Sequence, residues 1–127
     1  MRILALDYGS ARIGCAISDP SGTLVRPLTV VEPADAAVVV ELVAENEVER
    51  VVIGMPVQLD GREGEQAAET RRFGEQLAEL IEVPVESYDE RLTTKMAQAS
   101  RRGGARSEED ALAAAHLLES YLASRGG

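Results

Sequence analysis

Cysteine, histidine and tryptophan are almost missing from this chain. Cys15 is the one cysteine in 127 residues, which excludes an internal disulfide framework and a cysteine-based zinc cluster. His116 is the one histidine and there is no tryptophan. The aromatic side chains are Tyr8, Phe73, Tyr88 and Tyr121. Proteins that bind single strands without sequence preference stack bases on aromatic platforms. Here only Tyr8, next to Asp7, is placed to stack a base, so any affinity for a single strand is expected to be modest and strongly salt-dependent. No apolar run approaches the ~20 residues of a membrane span. The stretch after Arg2 is broken by Asp7, too early and too acidic for a signal peptide. A cytoplasmic protein without a membrane partner is expected. Basic residues are the minority, 13 against 22 acidic, for a net charge of −9. Taken alone, that balance opposes broad phosphate neutralisation.

The hydrophobic fraction of 45% supports a real core, and the length suits one domain over 1–127. The charge is unevenly spread. Arg91, Lys95, Arg101, Arg102 and Arg106 follow one another with no acid between them, a segment suited to an anionic ligand or simply to solvent.

Apolar patterning predicts strands over Arg2–Asp7, Arg12–Ser18 and Thr23–Val31. The connections are short, and Asp19-Pro20-Ser21-Gly22 is a turn signal, so the three form an antiparallel meander. Val38, Leu42 and Val43 predict a helix over about Asp35–Glu47. "RVVIGMP" is a buried parallel strand and "VQLDGREGE" a loop. A helix follows over about Glu65–Glu82, then the strand "VPVESY", with Pro84 at its start. "DERLTTKMAQAS" begins as loop and turns into a short helix, Arg102 to Ala105 is a break, and a last helix covers Ser107–Ser124. The order β-β-β-α-β-α-β-α makes an α/β fold: a mixed five-stranded sheet, three strands antiparallel and two parallel, with helices on its faces.

Three acids stand where such a fold gathers ligands. Asp7 closes the first strand, and the carboxyl ends of strands line the ligand edge of open α/β sheets. Asp89 and Glu90 close the fifth strand; alternation points them apart, so only one joins Asp7. Asp110 shares a helix face with Ala113, Ala114, Leu117 and Tyr121. It also suits a capping box with Ser107 as N-cap, while His116 falls on the opposite, solvated face. Two unit charges ~4 Å apart repel by ~4 kcal/mol at an effective dielectric of ~20, so a cluster of such acids must protonate or hold cations. Oxygen ligands without Cys or His favour Mg²⁺ or Mn²⁺. Two ions ~3.5–4 Å apart can activate water and stabilise the leaving oxygen of a phosphodiester.

The segments "LDYGSARIG", "VVIGMPVQLDGREG", "TRRF", "DERLTT" and "DALAAAHLLESYL", in this order over nearly the whole chain, resemble the YqgF/RuvX family. That resemblance implies an RNase H-like three-layer fold, similar to Holliday junction resolvases of the RuvC type. It implies Asp7, Glu90 and Asp110 as catalytic metal ligands, Mg²⁺ or Mn²⁺ as a pair of ions, and a part in maturing the 5′ end of 16S rRNA within ribosomal precursors. Glu90 is preferred to Asp89 partly for its longer reach. The chain departs from the pattern in a shorter stretch before Asp110. Glu108 and Glu109 stand where lysines are usual, which moves phosphate contact toward Arg101, Arg102 and Arg106. Met55 replaces a usual leucine, a volume-conserving change.

Substrate-binding candidates are Arg12, Arg72, Arg91, Thr94, Arg101 and Arg102. Each has a duller reading. Arg12 is equally an exposed strand residue. Arg91 can pair with Asp89. Of Arg71 and Arg72, one helical step apart, one is a surface charge and the other a phosphate clamp. Thr93 and Thr94 can cap a helix. The leading expectation is a metal-dependent nuclease processing pre-16S rRNA. Its competitors are a resolvase of four-way DNA junctions, which needs two active sites and hence a dimer, and a non-catalytic ribosome-assembly factor that binds RNA. A nucleotide-binding hairpin of the actin-like kinase type is weaker, because one domain lacks the second lobe.

Overall fold

The computed structural model describes residues 1–56, 64–92 and 106–125. Five strands form one sheet: β1 Ile3–Tyr8, β2 Ile13–Ser18, β3 Val25–Val31, β4 Arg50–Met55 and β5 Val85–Asp89. Their order across the sheet is β3-β2-β1-β4-β5. β1 and β2 pair antiparallel, as do β2 and β3, while β4 lies parallel to β1 and β5 parallel to β4. Among the described residues there are three helices, α1 Ala36–Glu45, α2 Glu65–Leu80 and α3 Arg106–Arg125, and a 3-10 turn at Glu90–Leu92 after β5. This is the mixed sheet expected. In α1 the buried residues are Ala36, Val39 and Val43, whereas Val38, expected in the apolar stripe, is exposed. The segments 57–63 and 93–105, with the "VQLDGREGE" loop and the short helix and break before Asp110, lie outside the described residues.

Side-chain alternation divides the sheet into two apolar faces. Leu4, Leu6, Val51 and Ile53 meet Val39 and Val43 of α1 and Phe73 and Leu77 of α2. Ile3, Ala5 and Val52 meet Leu117, Leu118 and Tyr121 of α3, and Ala16 meets Ala114 and Ala115. The alanines let α3 lie close to β2.

Local chemistry sets the ends of these elements. The Asp35 carboxylate accepts from the Ala37 N–H at 2.9 Å and caps α1. An Asp35→Ala variant should lose about 1 kcal/mol, read as a lower urea midpoint at unchanged slope. At the β2–β3 turn the Asp19 carboxylate accepts from the Thr23 and Leu24 N–H groups and the Ser21 hydroxyl. Those bonds, the Ser21 hydroxyl foremost, hold its pKa below the ordinary carboxylate value. Gly22 has φ of +74° there, a conformation glycine adopts without steric cost.

Two boundaries near the acids differ from the sequence reading. β5 extends through Asp89, because Asp89 pairs in register with Met55 of β4. α3 begins at Arg106, so Ser107 lies inside its first turn instead of capping it.

Candidate active site

Asp7 sits at the carboxyl end of β1 with a glycine on either side. The β1–β2 register pairs it with Gly14. The β1–β4 register runs to Leu6 opposite Ile53, and its next step sets Gly54 beside Asp7. By alternation Asp7 shares a face with Ile3 and Ala5, the face that α3 covers. Both glycines belong to that face, and each is occupied from above. A Cβ on Gly14 would stand 2.1 Å from the Asp110 carbonyl oxygen and 3.1 Å from Asp110 Cβ. A Cβ on Gly54 would stand 2.7 Å from Glu90 Oε1 and 3.0 Å from Glu90 Cγ. Real Cβ atoms do not approach so closely. The two glycines are therefore the recesses into which the start of α3 and the Glu90 side chain settle.

The three acids thus meet over one edge of the sheet, with Asp7 in the middle. Adding those contacts to a strand spacing of ~4.8 Å puts both Asp110 Cβ and Glu90 Oε1 within about 8 Å of Asp7. They are gathered but not closed: among the described residues no three His, Cys, Asp or Glu side chains stand near enough to enclose an ion.

Arg12 stands against one of these acids. Its guanidinium Nε lies 2.5 Å from Asp110 Oδ2, and its Nη1 lies 3.7 Å from Glu32 Oε2. The Asp110 contact is an ion pair by distance but lacks hydrogen-bond alignment, so the buried Oδ2 accepts no hydrogen bond. The Arg12 backbone is fixed by its carbonyl, which accepts from the Gly9 N–H at 2.9 Å.

Asp89 and Glu90 separate as alternation requires. Asp89 is clasped by Arg91: Nη2 donates to Oδ2 at 2.7 Å, and the Arg91 backbone N–H donates to Oδ1 at 2.9 Å. The guanidinium bond, followed by the backbone bond, holds the Asp89 carboxyl below its ordinary pKa. Of the two readings of Arg91, the structure shows the pair with Asp89.

Two other candidates fall elsewhere. Tyr8 does not share the Asp7 face. Its ring stacks on Phe73 of α2, centroids 4.7 Å apart at 30°, because neighbouring strand residues point to opposite faces. The expectation that it stacks a base beside Asp7 is corrected accordingly. Burial, and then the charge of Glu69, raise the pKa of its hydroxyl, against the opposing charge of Arg72. Arg72 is exposed on α2 and lines a shallow cleft with Ser10, Glu65, Gln66 and Glu69. It belongs to the same end of the sheet but not to the acid face. Arg71 points the other way, into a cleft with Met55, Gly74 and Ser87. Thr94, Arg101 and Arg102 lie outside the described residues, as does Lys95. His116, expected to be solvated, is four-fifths buried: Nδ1 lies 3.6 Å from Glu119 Oε1, and Nε2 is buried without a hydrogen bond. The residues on either side of it, Ala115 and Leu117, are buried too, so α3 is covered over more than one stripe.

Sequence reasoning missed Gly14 and Gly54. Their signal was there: each is the one glycine in a run of buried β-strand residues, and a glycine inside a strand marks close approach by another group.

This fold is shared with solved structures. A T. thermophilus RuvC in complex with a Holliday junction substrate superposes with a TM-score of 0.67 at 18% identity, over 99% of this chain and 96% of that one. Fowlpox virus resolvase with Holliday junction DNA gives 0.60 at 14% identity, over 98% and 99%. The class is therefore RNase H-like, the sheet and helix arrangement of these resolvases. A family model described as "RuvX: Holliday junction resolvase" matches residues 1–124. Curated relatives described as "Putative pre-16S rRNA nuclease" include one from Caldanaerobacter subterraneus subsp. tengcongensis, 38% identical over 98% of both chains. Another, from Anaeromyxobacter sp. strain Fw109-5, is 42% identical over 98% of both. The chain belongs to the RuvX family, a family of nucleases.

Proposed function

We propose that this chain is a metal-dependent ribonuclease that processes the 5′ end of pre-16S rRNA in the cytoplasm, with 1–127 acting as one nuclease domain. The observation that carries the reading is the convergence of Asp7, Glu90 and Asp110, from three distant parts of the sequence, over two glycine recesses. The curated relatives' description supports RNA as the substrate.

The residues present suit a divalent ion. The donor set is carboxylate oxygen alone, the chemistry of Mg²⁺ and Mn²⁺. A buried Asp110 oxygen accepts no hydrogen bond, and a cationic guanidinium stands against it. Asp7, Glu90 and Asp110 are the residues that would hold one or two ions. When bound, such ions supply an activated water and charge neutralisation at the leaving oxygen. The protein's own part is positional. Asp7 lies on a central strand whose backbone is paired on both sides, so its carboxylate is rigidly presented. Glu90 reaches back over Gly54 from the turn after β5. Asp110 is carried by α3, whose apolar face anchors it to the sheet. Arg12 and Arg91 would hold phosphates near the scissile bond and Arg72, around the sheet edge, those farther along the strand, while Thr94, Arg101 and Arg102 are further candidates for substrate contact.

The test is a paired assay of precursor 16S rRNA and a four-way DNA junction, each with Mg²⁺ or Mn²⁺. Metal-dependent shortening of the RNA 5′ end, with the junction intact, is the expected result. Junction cleavage without RNA cleavage transfers the assignment to branched DNA, the reading favoured by the family model's description. That outcome requires a homodimer, whereas RNA cleavage is open to a monomer. RNA binding that survives loss of all three acids, with no product, would leave a non-catalytic assembly factor.

A further inference from the structure

Arg12 does not behave like a waiting phosphate contact. Its side chain is only 22% exposed and is engaged at both ends, with Asp110 at 2.5 Å and Glu32 at 3.7 Å. The two partners differ in kind. Asp110 is mostly shielded, with a buried Oδ2 that takes no hydrogen bond. The Glu32 side chain is 60% exposed and stands on the solvent side, just after β3. A carboxylate shielded from water needs a positive charge beside it. Among the described residues that charge is the Arg12 guanidinium, on a long, rotatable stem whose second partner lies outside the pocket.

We infer that Arg12 is the resident counter-ion of the acid pocket. Its guanidinium neutralises Asp110 in the metal-free protein, yields that place to an arriving divalent cation, and swings to Glu32 and the solvent-facing edge. The inference rests on the proposed metal site. It gives Arg12 two successive tasks, since a guanidinium released at the rim of the pocket is where a substrate phosphate arrives. Arg12 is thus a positioning residue that sets how readily the site loads.

The geometry makes the exchange feasible. The backbone at Arg12 is pinned by the Gly9–Arg12 turn bond at 2.9 Å and by the Ala34 N–H donating to Ala11 at 3.1 Å. Only side-chain torsions need change, and the exposed Glu32 carboxylate offers an ion pair at the far end of the swing. Exposed pairs of that kind contribute little, so the released state is not a trap.

The experiment is calorimetric titration of Mn²⁺ into the full chain, with melting in chelator and in Mn²⁺ alongside. Four proteins are compared: wild type, Arg12→Gln, Arg12→Lys and Asp110→Asn. Removing the competitor should tighten Mn²⁺ binding by about tenfold in Arg12→Gln. The metal-free variant should melt lower than wild type and gain more from Mn²⁺. Arg12→Lys keeps the charge on a less well-matched head and should bind about threefold more tightly; it stands in if the glutamine variant does not fold. Mn²⁺ affinity unchanged or weakened in both variants overturns the inference, provided wild type binds the ion and Asp110→Asn does not. That pattern leaves the metal site intact and reduces Arg12 to a phosphate contact. Mn²⁺ binding absent from wild type and both arginine variants overturns the site itself and the inference with it.

Discussion

Asp7→Asn should abolish cleavage while leaving the fold intact. Asparagine is nearly the same size, and Asp7 sits on a strand paired on both sides, so packing changes little. What disappears is a negative charge at the centre of three acids. In the proposed mechanism that charge helps hold the ions that activate water and stabilise the leaving oxygen. A loss of at least about 10³-fold in the rate is expected, equivalent to ~4 kcal/mol of barrier. Stability should move the other way or not at all, because like charges gathered in a shielded pocket repel. The check is single-turnover cleavage of precursor rRNA beside a thermal melt. A purified variant that cleaves at the wild-type rate would remove Asp7 from the site. A variant that is inactive because it has unfolded would show it in the melt.

Gly14→Ala should damage stability and activity together. The added Cβ would meet the backbone of Asp110, 2.1 Å from its carbonyl oxygen and 2.5 Å from the carbonyl carbon. A rotamer change cannot relieve a backbone clash. The start of α3 must lift from the sheet, carrying Asp110 with it and opening contacts such as Ala16 on Ala114. Overpacking of this kind costs about 3 kcal/mol, a fall of roughly 10 °C in Tm. Gly54→Ala is the informative contrast. There the nearest atom is Glu90 Oε1 at 2.7 Å, the mobile end of a long side chain, with Leu117 Cδ2 at 3.0 Å. Stability should fall by about 1 kcal/mol, yet activity should drop sharply because Glu90 is pushed from its recess. Equal melting of Gly14→Ala and wild type would show that α3 does not sit on β2 as described.

Much of the fold was legible along the chain because each signal is local. The apolar runs of β1 and β2 and the Asp19 turn each depend on residues within one or two turns of one another, as does the helical period of α1, where the reading from Val38, Leu42 and Val43 finds the helix but not its buried stripe: Val39 and Val43 are buried and Val38 is exposed. The start of α1 near Asp35 is such a case, although the capping bond of its carboxylate to the Ala37 N–H was found only in the structure. Tyr8 shows where local reading went astray. It adjoins Asp7 in sequence, but a strand sends neighbours to opposite faces, and Phe73, 65 residues later, takes its ring. His116 was misjudged for a related reason. A helical wheel assumes one buried stripe, whereas α3 is covered by β1, β2 and β3, with Val52 of β4 beside them.

The amino-acid sequence by itself determined the order of strands and helices and the parallel and antiparallel halves of the sheet, and it offered Asp7, Asp89, Glu90 and Asp110 as acids near the ends of elements. Hydrophobic period, turn chemistry and family motifs act over short distances and survive without coordinates. Tertiary structure alone decided that Gly14 and Gly54 flank Asp7 as recesses, that Asp89 turns to Arg91 while Glu90 turns inward, and that Arg12 stands against Asp110. Those facts depend on strand register and on the height at which α3 crosses β2, and both are set by packing between segments a hundred residues apart.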